Sequence, residues 1–532
     1  MKKYILIINV VFFSILIISI SGCEDDKENK ENVENKEDNE DNEDNEDNED
    51  KEPEKPELKS FIFKKAQNIK LSKDMSCKIE DNTITVTLTE LTSAKNLIPS
   101  FEGNFEKIEV NGEAQISGLS KQNFDDIVTY KVTFKDGKTT DFNVRVDVFS
   151  GLPIVWINTV NNQAITSKDT YVRGNVTISK THDFSTGYEG SMRIRGRGNA
   201  TWTYEKKPFR INLDTKSEIL GMPADRDWVL LADYCDKSML RTAYGFELSQ
   251  LLDLPWTSRH HYVDVFLNGS YNGTYILCEH VKVAENRANV KSDGFLFEND
   301  NYADLEPIMF KTKRLGVKFT FKYPDGDELT VKDERFIFIK NFMDEFENIL
   351  YSDSFTDPEK GYRKYLDVEN FVKWYLVQEV LGNIEPNPYY VLESRSDKLK
   401  MYPVWDLEWS LGLAGLGSNG WASYPFVSPI NKYYRKDQYY RRMFEDPYFR
   451  NAIKNEWKSM KHIHLPALLK IIDAKKESLN LAQKNNFKRW DILGKRISVG
   501  LTYYQTWEEE VSYARNFLNK RITWLDAEIE NL

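Results

Sequence analysis

The stretch 401–411 reads Met-Tyr-Pro-Val-Trp-Asp-Leu-Glu-Trp-Ser-Leu, and its acidic pair, Asp406 and Glu408, lies between two tryptophans. If the stretch is extended, the two-residue period of a strand puts both carboxylates on the same face. Neighbouring carboxylates repel each other unless a cation lies between them, and a hard divalent ion binds such oxygens readily. The pattern therefore predicts either a divalent metal site or an acidic strand end that faces water or an arginine.

A glycine-rich turn and a cationic strand lie upstream of this stretch. Residues 191–202 read Ser-Met-Arg-Ile-Arg-Gly-Arg-Gly-Asn-Ala-Thr-Trp, and residues 206–213 read Lys-Lys-Pro-Phe-Arg-Ile-Asn-Leu. Backbone amides that glycines expose, beside Arg and Lys, are a common phosphate-binding arrangement. Since Gly-Arg-Gly turns also occur elsewhere, the segment is compatible with a phosphate site and with an ordinary turn between strands.

The segments between these two regions follow an ordered pattern. Periodicity and turn residues predict a helix at residues 236–252, a hairpin at 262–281, a long helix at 367–382, a polar loop at 383–388 and a strand at 389–392. Asp236 and Asp367 are the predicted N-caps of the two helices. With the glycine-rich turn first and Asp406 last, this is the order of phosphate loop, lysine strand, positioning helix, hinge, catalytic loop and metal-binding Asp in a protein kinase.

The regions on either side have simpler patterns. Between residues 61 and 149 short strands alternate in hydrophobicity around an Asp-Gly turn at Gly137, which predicts a hairpin in an immunoglobulin-like sandwich. We expect this module to be a spacer, with ligand binding as the alternative.

From Tyr439 onward the spacing is helical. Its aromatic residues, including Trp490 and Trp524, are expected to form a core, with sugar binding by exposed aromatics as the alternative.

The N-terminal residues have the pattern of a secretory signal. Lys2 and Lys3 precede an apolar run at 4–20 that is short for a membrane span, and the sequence Ser-Gly-Cys23 follows. This end resembles the bacterial lipobox, which implies cleavage before Cys23 and a diacylglyceryl group on its sulfur. The alternative is an ordinary signal peptide with a chance cysteine.

An acidic low-complexity segment follows. Residues 24–57 contain nineteen acidic residues and five lysines, with Val33 and two prolines as the only apolar side chains. Such a segment cannot bury a core and is expected to be a disordered tether. Its charge exceeds the net −12 of the whole chain, so the rest of the chain is close to neutral. Acidic residues directly after a lipidated cysteine resemble the surface-export signal of some bacteria with two membranes.

Eight short motifs together resemble one protein family. They are Arg-Gly-Arg-Gly-Asn-Ala-Thr-Trp at 195–202, Lys-Lys-Pro-Phe-Arg at 206–210, Leu-Gly-Met-Pro at 220–223, Asp-Trp-Val-Leu-Leu at 227–231, Leu-Arg at 240–241, Asp-Val-Phe-Leu-Asn-Gly at 264–269, Tyr-Asn-Gly-Thr-Tyr at 271–275 and Trp-Asp-Leu at 405–407. In this order they closely resemble the CotH (spore coat protein H) kinase family, from about residue 155 to the C-terminus. The resemblance implies an atypical protein kinase fold that binds ATP with Mg²⁺ or Mn²⁺ and phosphorylates Ser or Thr.

The resemblance implies a set of catalytic and metal-binding residues. Asp406 matches the metal-binding acid that follows the catalytic loop, and Glu408 stands where the family generally has a second Asp. Asn383 matches the family's loop Asn and is, with Glu385, one of two candidates for the catalytic residue that orients the acceptor hydroxyl. Asn387 is a further candidate oxygen ligand of the metal. Glu385 falls where the family's Asp is expected, so it is the candidate base, in a loop that is shorter than usual.

The resemblance also implies a nucleotide site. Asn212 stands where many members have Lys, so the lysine expected on the phosphates is Lys207, helped by one or more arginines. The expected ATP-binding residues are Arg195, Arg197, Lys207, Arg210, Glu279 and Val281. The last two belong to the expected hinge, which holds adenine through backbone groups.

The sequence therefore predicts an α+β protein with an atypical protein-kinase-like catalytic domain, a helical C-terminal lobe and a small all-β sandwich before it. The predicted boundaries are a lipoprotein signal peptide at 1–22, an acidic disordered tether at 23–57, an immunoglobulin-like β module at 58–149 and a CotH-type kinase domain at 150–532. The expected activity is transfer of the ATP γ-phosphate to Ser or Thr of a surface or secreted protein. The alternative is a catalytically weak surface adhesin or ligand-binding lipoprotein on the same fold.

The expected location is the bacterial cell envelope, at the outer-membrane surface, with the lipid on Cys23 as the membrane anchor. The expected partners are a protein substrate and, as a further possibility, a surface glycan or host protein. A nucleic acid is not among the expected partners.

Overall fold

From residue 57 onward most of the chain is organised into sheets and helices. The computed structural model describes residues 57–88, 91, 93–180, 185–300, 302–384, 386, 388–413, 438–498 and 503–532. The predicted signal peptide, Cys23 and the predicted tether up to residue 56 lie outside the described residues, as do Glu385 and Asn387. The other predicted site residues all lie in the described part.

Two sheets at the start of the described chain form a β-sandwich-like region. Its strands are β1 Leu58–Phe63, β2 Met75–Ser76, β3 Lys78–Glu80, β4 Thr83–Leu88, β5 Ser100–Gly103, β6 Phe105–Val110, β7 Glu113–Ala114, β8 Val128–Phe134 and β9 Thr139–Val148. One sheet has the order β2-β1-β5 and the other the order β3-β4-β9-β8-β6-β7. The predicted hairpin at Gly137 is confirmed, because β8 and β9 pair antiparallel on either side of it.

Seven strands of the described chain form a closed barrel after the sandwich. They are β10 Ile154–Thr159, β11 Val172–Ser179, β12 Thr186–Gly196, β13 Phe209–Ile219, β14 Met222–Leu231, β15 His260–Leu267 and β16 Ser270–Glu279. Their order around the barrel is β10-β11-β12-β13-β14-β16-β15, and β10 pairs with β15 in parallel to close it. Ile194, Ile211 and Trp228 are among the side chains that fill the interior. Because side chains alternate along each strand, their neighbours in sequence face outward.

Three helices and a five-stranded sheet form the middle of the chain. The helices are α1 Arg241–Leu251, α2 Glu334–Leu350 and α3 Val368–Leu381. The strands are β17 Phe295–Asn299, β18 Met309–Lys311, β19 Lys318–Tyr323, β20 Tyr389–Leu392 and β21 Lys400–Met401, in the order β18-β19-β17-β20-β21. The long helix is confirmed at both ends: the Asp367 side chain accepts the N–H of Asn370 at 3.1 Å, and the helix ends at Gly382 with φ of 56°.

The start of α1 differs from the prediction. Its N-cap is Leu240, not Asp236. The Asp236 carboxylate instead accepts the backbone N–H groups of Ser238 at 3.0 Å and of Arg241 at 2.8 Å, in a turn before the helix. Short acidic side chains satisfy backbone donors in turns as well as in helix caps. The residue type therefore predicts a local hydrogen bond but not the first helical residue.

The C-terminal part is helical, as its spacing predicts. Its helices are α4 Gln438–Met443, α5 Pro447–Ser459, α6 Leu465–Ser478, α7 Ala482–Arg489 and α8 Trp507–Glu530, with a π-helical turn Met460–His464 between α5 and α6. Trp490 is buried and Trp524 packs against the same hydrophobic core, which confirms their core role. Within the described chain, no helix combines the length and apolar character that crossing a membrane requires.

Candidate functional site

The acidic stretch 401–411 leaves the strand conformation after Met401, where β21 ends. Asp406 has φ of 56°, a left-handed conformation that costs a non-glycine residue about 1–2 kcal/mol, and a turn begins at Glu408. The expectation that both carboxylates share one strand face is therefore wrong: Asp406 is exposed and Glu408 is half-buried. Backbone strain of this kind persists where surrounding contacts hold it, and it is frequent at functional sites.

Helix α1 and the turn before it hold this stretch in place. A Cβ on Gly245 would lie 2.3 Å from Cδ1 of Leu407, so the glycine lets the helix pack directly on the stretch. Arg241 is fully buried; its Nε donates to the carbonyl of Ser410 at 2.9 Å, and its guanidinium pairs with Asp236 at 2.5 Å. A buried arginine that is paired in this way fixes the backbone it contacts.

Asn383 connects the end of α3 to the acidic stretch. Its buried side-chain Nδ2 donates to the backbone carbonyl of Asp406 at 3.1 Å and to Oε1 of Gln378 at 2.9 Å. These contacts support the backbone that carries the Asp406 carboxylate. Asn383 is therefore placed as a positioning residue, which differs from the direct catalytic role that the sequence analysis gives it.

Replacing Asn383 by Leu is expected to lower the free energy of unfolding by about 2 kcal/mol, because two buried hydrogen bonds are lost and the Asp406 carbonyl loses this donor. Chemical denaturation measures the change. Asn516→Leu, the same substitution at an exposed position of α8, is the matched control and should stay within about 0.5 kcal/mol of the wild type. Equal stability of the two variants would contradict the positioning role.

Glu408 lies against the turn that connects β14 to α1. Its Oε1 accepts the N–H of Cys235 at 2.8 Å. Burial raises the pKa of Glu408 to about 7; the backbone hydrogen bond from Cys235 opposes the rise, and repulsion from Asp236 and Asp406 adds to it. A buried carboxylate close to other acids is more easily ionised when a cation binds beside it.

Lys206 is a buried lysine whose charge interacts with these acids. It is 2% exposed, and its ammonium donates to the backbone carbonyl of Thr274. Burial lowers the pKa of Lys206 to about 7, and the charges of Asp233, Glu408 and Asp264 oppose this shift. The ammonium of Lys206 thus contacts β16 of the barrel, and its charge interacts with Glu408 of the acidic stretch.

Lys207, which the sequence analysis selects for phosphate binding, has a different environment. Its Nζ donates to the carbonyl of Trp202 at 2.8 Å and lies 5.3 Å from the centroid of the indole ring. Both lysines precede Phe209, the first residue of β13, so the two-residue period of the strand does not tell which of them faces inward. Lys206, whose charge interacts with Glu408, is therefore a second candidate for the lysine of the site beside Lys207.

The glycine-rich turn makes room for neighbouring side chains. A Cβ on Gly196 would lie 2.3 Å from the ring of Trp202, and a Cβ on Gly198, where φ is 85°, would lie 2.1 Å from Oγ1 of Thr201. Both glycines are thus required by local packing. This agrees with the ordinary-turn alternative, so the glycines alone are no evidence for phosphate binding.

The three predicted arginines of the nucleotide site have different partners. Arg195 donates to a backbone carbonyl in the loop before β11, and Arg210 forms an ion pair with Asp227 at 2.8 Å. Arg197 lies 5.7 Å from the ring centroid of Trp405, the residue directly before Asp406. Of the three, Arg197 is the one that the fold brings to the acidic stretch.

Asn212, at the position where many family members have Lys, lies beside the same Asp227. Its Nδ2 donates to Asp227 Oδ1 at 3.0 Å, and Lys282 donates to Oδ2 at 2.8 Å. Burial would raise the pKa of Asp227, but hydrogen bonds from Lys282 and Arg210 hold it below its ordinary value. A second lysine is therefore not needed to keep this acid ionised.

The expected hinge lies at the end of β16. The N–H of Glu279 donates to the carbonyl of Arg259 at 3.2 Å, and the Glu279 carbonyl accepts from Ser258 Oγ at 2.7 Å. The N–H of Glu279 therefore already has an acceptor, whereas its carbonyl has a second lone pair. Val281 is buried and stays a hinge candidate.

Two further acids and one phenol, absent from the sequence-based set, interact electrostatically with Asp406 or Glu408. Glu298 in β17 and Tyr389 in β20 are buried, and in each case burial raises the pKa and the charge of Asp406 adds to the rise. Asp233 Oδ2 is buried and has no hydrogen-bond partner among the described residues. As single polar residues in or next to ordinary strands, they have no spacing signal that could have identified them.

A divalent metal ion is the cofactor that the acidic pair implies. Within the described residues, no group of three or more His, Cys, Asp or Glu side chains is arranged to hold a metal ion. The exposed carboxylate of Asp406 and the half-buried carboxylate of Glu408 are nonetheless hard oxygen donors, and Mg²⁺ is commonly held by one or two carboxylates with water and substrate phosphates. The donor set therefore fits a metal ion that is bound together with a nucleotide.

Comparisons with known proteins identify one family. The family described as CotH kinase protein matches residues 194–525, an interval that contains all the predicted catalytic and ATP-binding residues. No curated protein matches the chain. A solved structure from Bacteroides thetaiotaomicron VPI-5482, described provisionally as a glycoside hydrolase, is similar at 13% identity over 50% of this chain and 73% of its own, with a TM-score of 0.15. At that TM-score the similarity carries no argument.

Proposed function

The chain belongs to the CotH kinase protein family, and from this premise we propose that it is an atypical protein kinase that transfers the γ-phosphate of ATP to a Ser or Thr hydroxyl of a surface or secreted protein. The proposal also divides the fold into two parts with separate roles, as in a protein kinase. The barrel supplies the phosphate-binding lysine, and the region from β17 to 413 supplies the acids.

The observation that carries this proposal is that cations of the barrel region interact with the acidic stretch 401–411. The negative charge of Glu408 opposes the lowering of the Lys206 pKa by burial, and repulsion from Asp406 adds to the rise in the pKa of Glu408. Arg197 lies over Trp405, directly before Asp406. Cations that bind phosphates beside carboxylates that bind a metal are the arrangement that phosphoryl transfer requires.

In this proposal Lys206 and Arg197 offset the negative charge of the nucleotide phosphates, and Asp406 and Glu408 hold Mg²⁺ or Mn²⁺. When bound, the ion neutralises charge that develops on the phosphate oxygens. Glu385, which lies outside the described residues, keeps its expected role as the base that takes the proton of the acceptor hydroxyl. Asn387, also outside them, stays a candidate third ligand.

The experiment that tests this function is thermal unfolding of the full chain with ATP and Mn²⁺ together and separately. A ligand at one hundred times its Kd stabilises the native state by about 2.7 kcal/mol, so the pair should raise the Tm by a few degrees and each alone by less. An unchanged Tm at millimolar ATP and Mn²⁺ would reject the proposal.

A catalytically weak surface adhesin or ligand-binding lipoprotein on the same fold is the second candidate. One observation favours it: Lys207, Arg195 and Arg210, three of the cations expected on the phosphates, are already bound to groups of the protein. A surface glycan or host protein would then be the partner. Such a protein would give no shift of Tm with ATP and Mn²⁺.

We also propose that the protein is anchored in the cell envelope through a lipid on Cys23. Cys23→Ser in the full-length chain should move the protein from the membrane fraction to the soluble fraction and abolish incorporation of labelled fatty acid. The control, Cys77→Ser, removes a thiol of the sandwich and should leave the membrane attachment and the fatty-acid incorporation unchanged. Membrane attachment of the Cys23→Ser variant at the wild-type level would contradict the anchor.

A further inference from the structure

Helix α7 lies between the sandwich and the barrel, which belong to one compact unit. On the side of the sandwich, Asn485 Nδ2 donates to the carbonyl of Val148 at 2.7 Å. Lys488 Nζ donates to the carbonyls of Phe124 at 3.1 Å and Val146 at 3.3 Å. The sandwich thus supplies three backbone acceptors that fix this helix, which a flexible spacer would not do.

On the side of the barrel the same helix contacts β16. Oδ1 of the buried Asn486 accepts the backbone N–H of Thr274 at 3.1 Å. Directly after the helix, Trp490 Nε1 donates to the carbonyl of Asn272 at 2.9 Å. Thr274 is therefore held at its amide by α7.

A second connection reaches Thr274 from the end of the sandwich. Ser150, two residues after β9, donates through Oγ to Asp264 Oδ2 at 2.6 Å. Asp264 Oδ1 accepts from Thr274 Oγ1 at 2.8 Å and from the Tyr271 hydroxyl at 3.0 Å. All four of these side chains are buried, so the network is shielded from water and its geometry is well defined.

The backbone carbonyl of Thr274 also accepts the hydrogen bond that the ammonium of Lys206 donates. A lysine side chain loses conformational freedom when it is fixed, and a buried ammonium needs acceptors in fixed positions. The Thr274 carbonyl is such an acceptor, and its position depends on residue Thr274, whose amide is held by Asn486 and whose hydroxyl is held by Asp264.

We propose that the sandwich is part of the nucleotide-binding apparatus: through α7 and Ser150 it holds the Thr274 carbonyl, and so the ammonium of Lys206, where the phosphates bind. Asn486 is the positioning residue on α7, and Lys488 connects α7 to the sandwich through its hydrogen bonds to sandwich carbonyls. The proposal rests on the proposed kinase function, and it replaces the expected spacer role of the sandwich.

The test measures ATP affinity in the full chain, in the presence of Mn²⁺, for Asn486→Ala and Lys488→Met. Loss of one hydrogen bond that supports a charged group corresponds to roughly a tenfold change in affinity, so Asn486→Ala should raise the Kd for ATP about tenfold. Lys488→Met should raise it by a smaller factor of about three. Lys484→Met, the same substitution on the exposed face of α7, should leave the Kd unchanged. Circular dichroism and the Tm report whether each variant is folded.

A double-mutant cycle separates positioning from a general loss of structure. If Asn486 acts through Lys206, Asn486→Ala should no longer change the Kd in a Lys206→Met background, whereas a purely structural effect would be additive. Additive effects, or a wild-type Kd in folded Asn486→Ala and Lys488→Met, would overturn this inference while leaving the kinase intact. A wild-type protein that binds no ATP would overturn the proposed function and this inference together.

Discussion

Asp406→Asn is expected to lower metal-dependent phosphoryl transfer roughly a thousandfold, because a bound metal ion supplies several kcal/mol of charge stabilisation in the transition state. Asn has the same shape as Asp but no charge to hold the ion. The fold should be unaffected: the Asp406 side chain is exposed, its contact with Asn383 is made through its backbone carbonyl, and Asn tolerates a left-handed φ as well as Asp does.

Initial rates at saturating ATP and Mn²⁺ measure this effect, and the Tm without ligands reports the fold. Asp353→Asn is the matched control, because Asp353 is exposed and lies in the loop after α2; its rate should equal that of the wild type. If Asp406→Asn kept wild-type activity, the assignment of Asp406 as a metal ligand would be wrong.

Lys206→Met is expected to lower kcat/KM for ATP about a hundredfold, the loss that corresponds to roughly 3 kcal/mol for a charged hydrogen bond to a phosphate. Methionine has a similar length and avoids the cost of burying an ammonium, so the fold should persist. The neighbouring Lys207→Met removes a half-buried lysine that contacts Trp202 and should change kcat/KM by no more than about threefold.

The comparison of these two lysine variants decides which lysine binds the phosphates. A large loss of kcat/KM in Lys207→Met, with a near wild-type value in Lys206→Met, would instead support Lys207, the lysine that the sequence analysis selects. In that case the buried network around Thr274 would have a structural role only.

Local patterns identify much of the fold. Asp367 and Gly382 bound α3 as predicted, because an N-cap oxygen and a left-handed C-terminal glycine satisfy backbone groups that every helix leaves free. The hairpin turns at Gly137 and Gly269 have positive φ values of 81° and 78°, as turn chemistry requires. These features depend on a few neighbouring residues, so a single sequence contains the information.

The features that sequence analysis does not identify depend on contacts between distant segments. Lys206 and Lys207 have the same residue type, and the difference between them comes from the Thr274 carbonyl, which lies in another strand. The left-handed backbone of Asp406 depends on its surroundings, including the amide of Asn383. The resemblance to a family assigns Asp406 the role of a metal ligand, but it does not show that Gly196 makes space for Trp202.

The measurement that tests the central claim most directly is transfer of labelled γ-phosphate from ATP to a Ser-rich protein or peptide by the purified full chain with Mn²⁺. The account predicts stable label on Ser or Thr of the acceptor, its loss on removal of the metal with a chelator, and its loss in Asp406→Asn. Saturable ATP binding without any label on the acceptor or on the protein itself would contradict it.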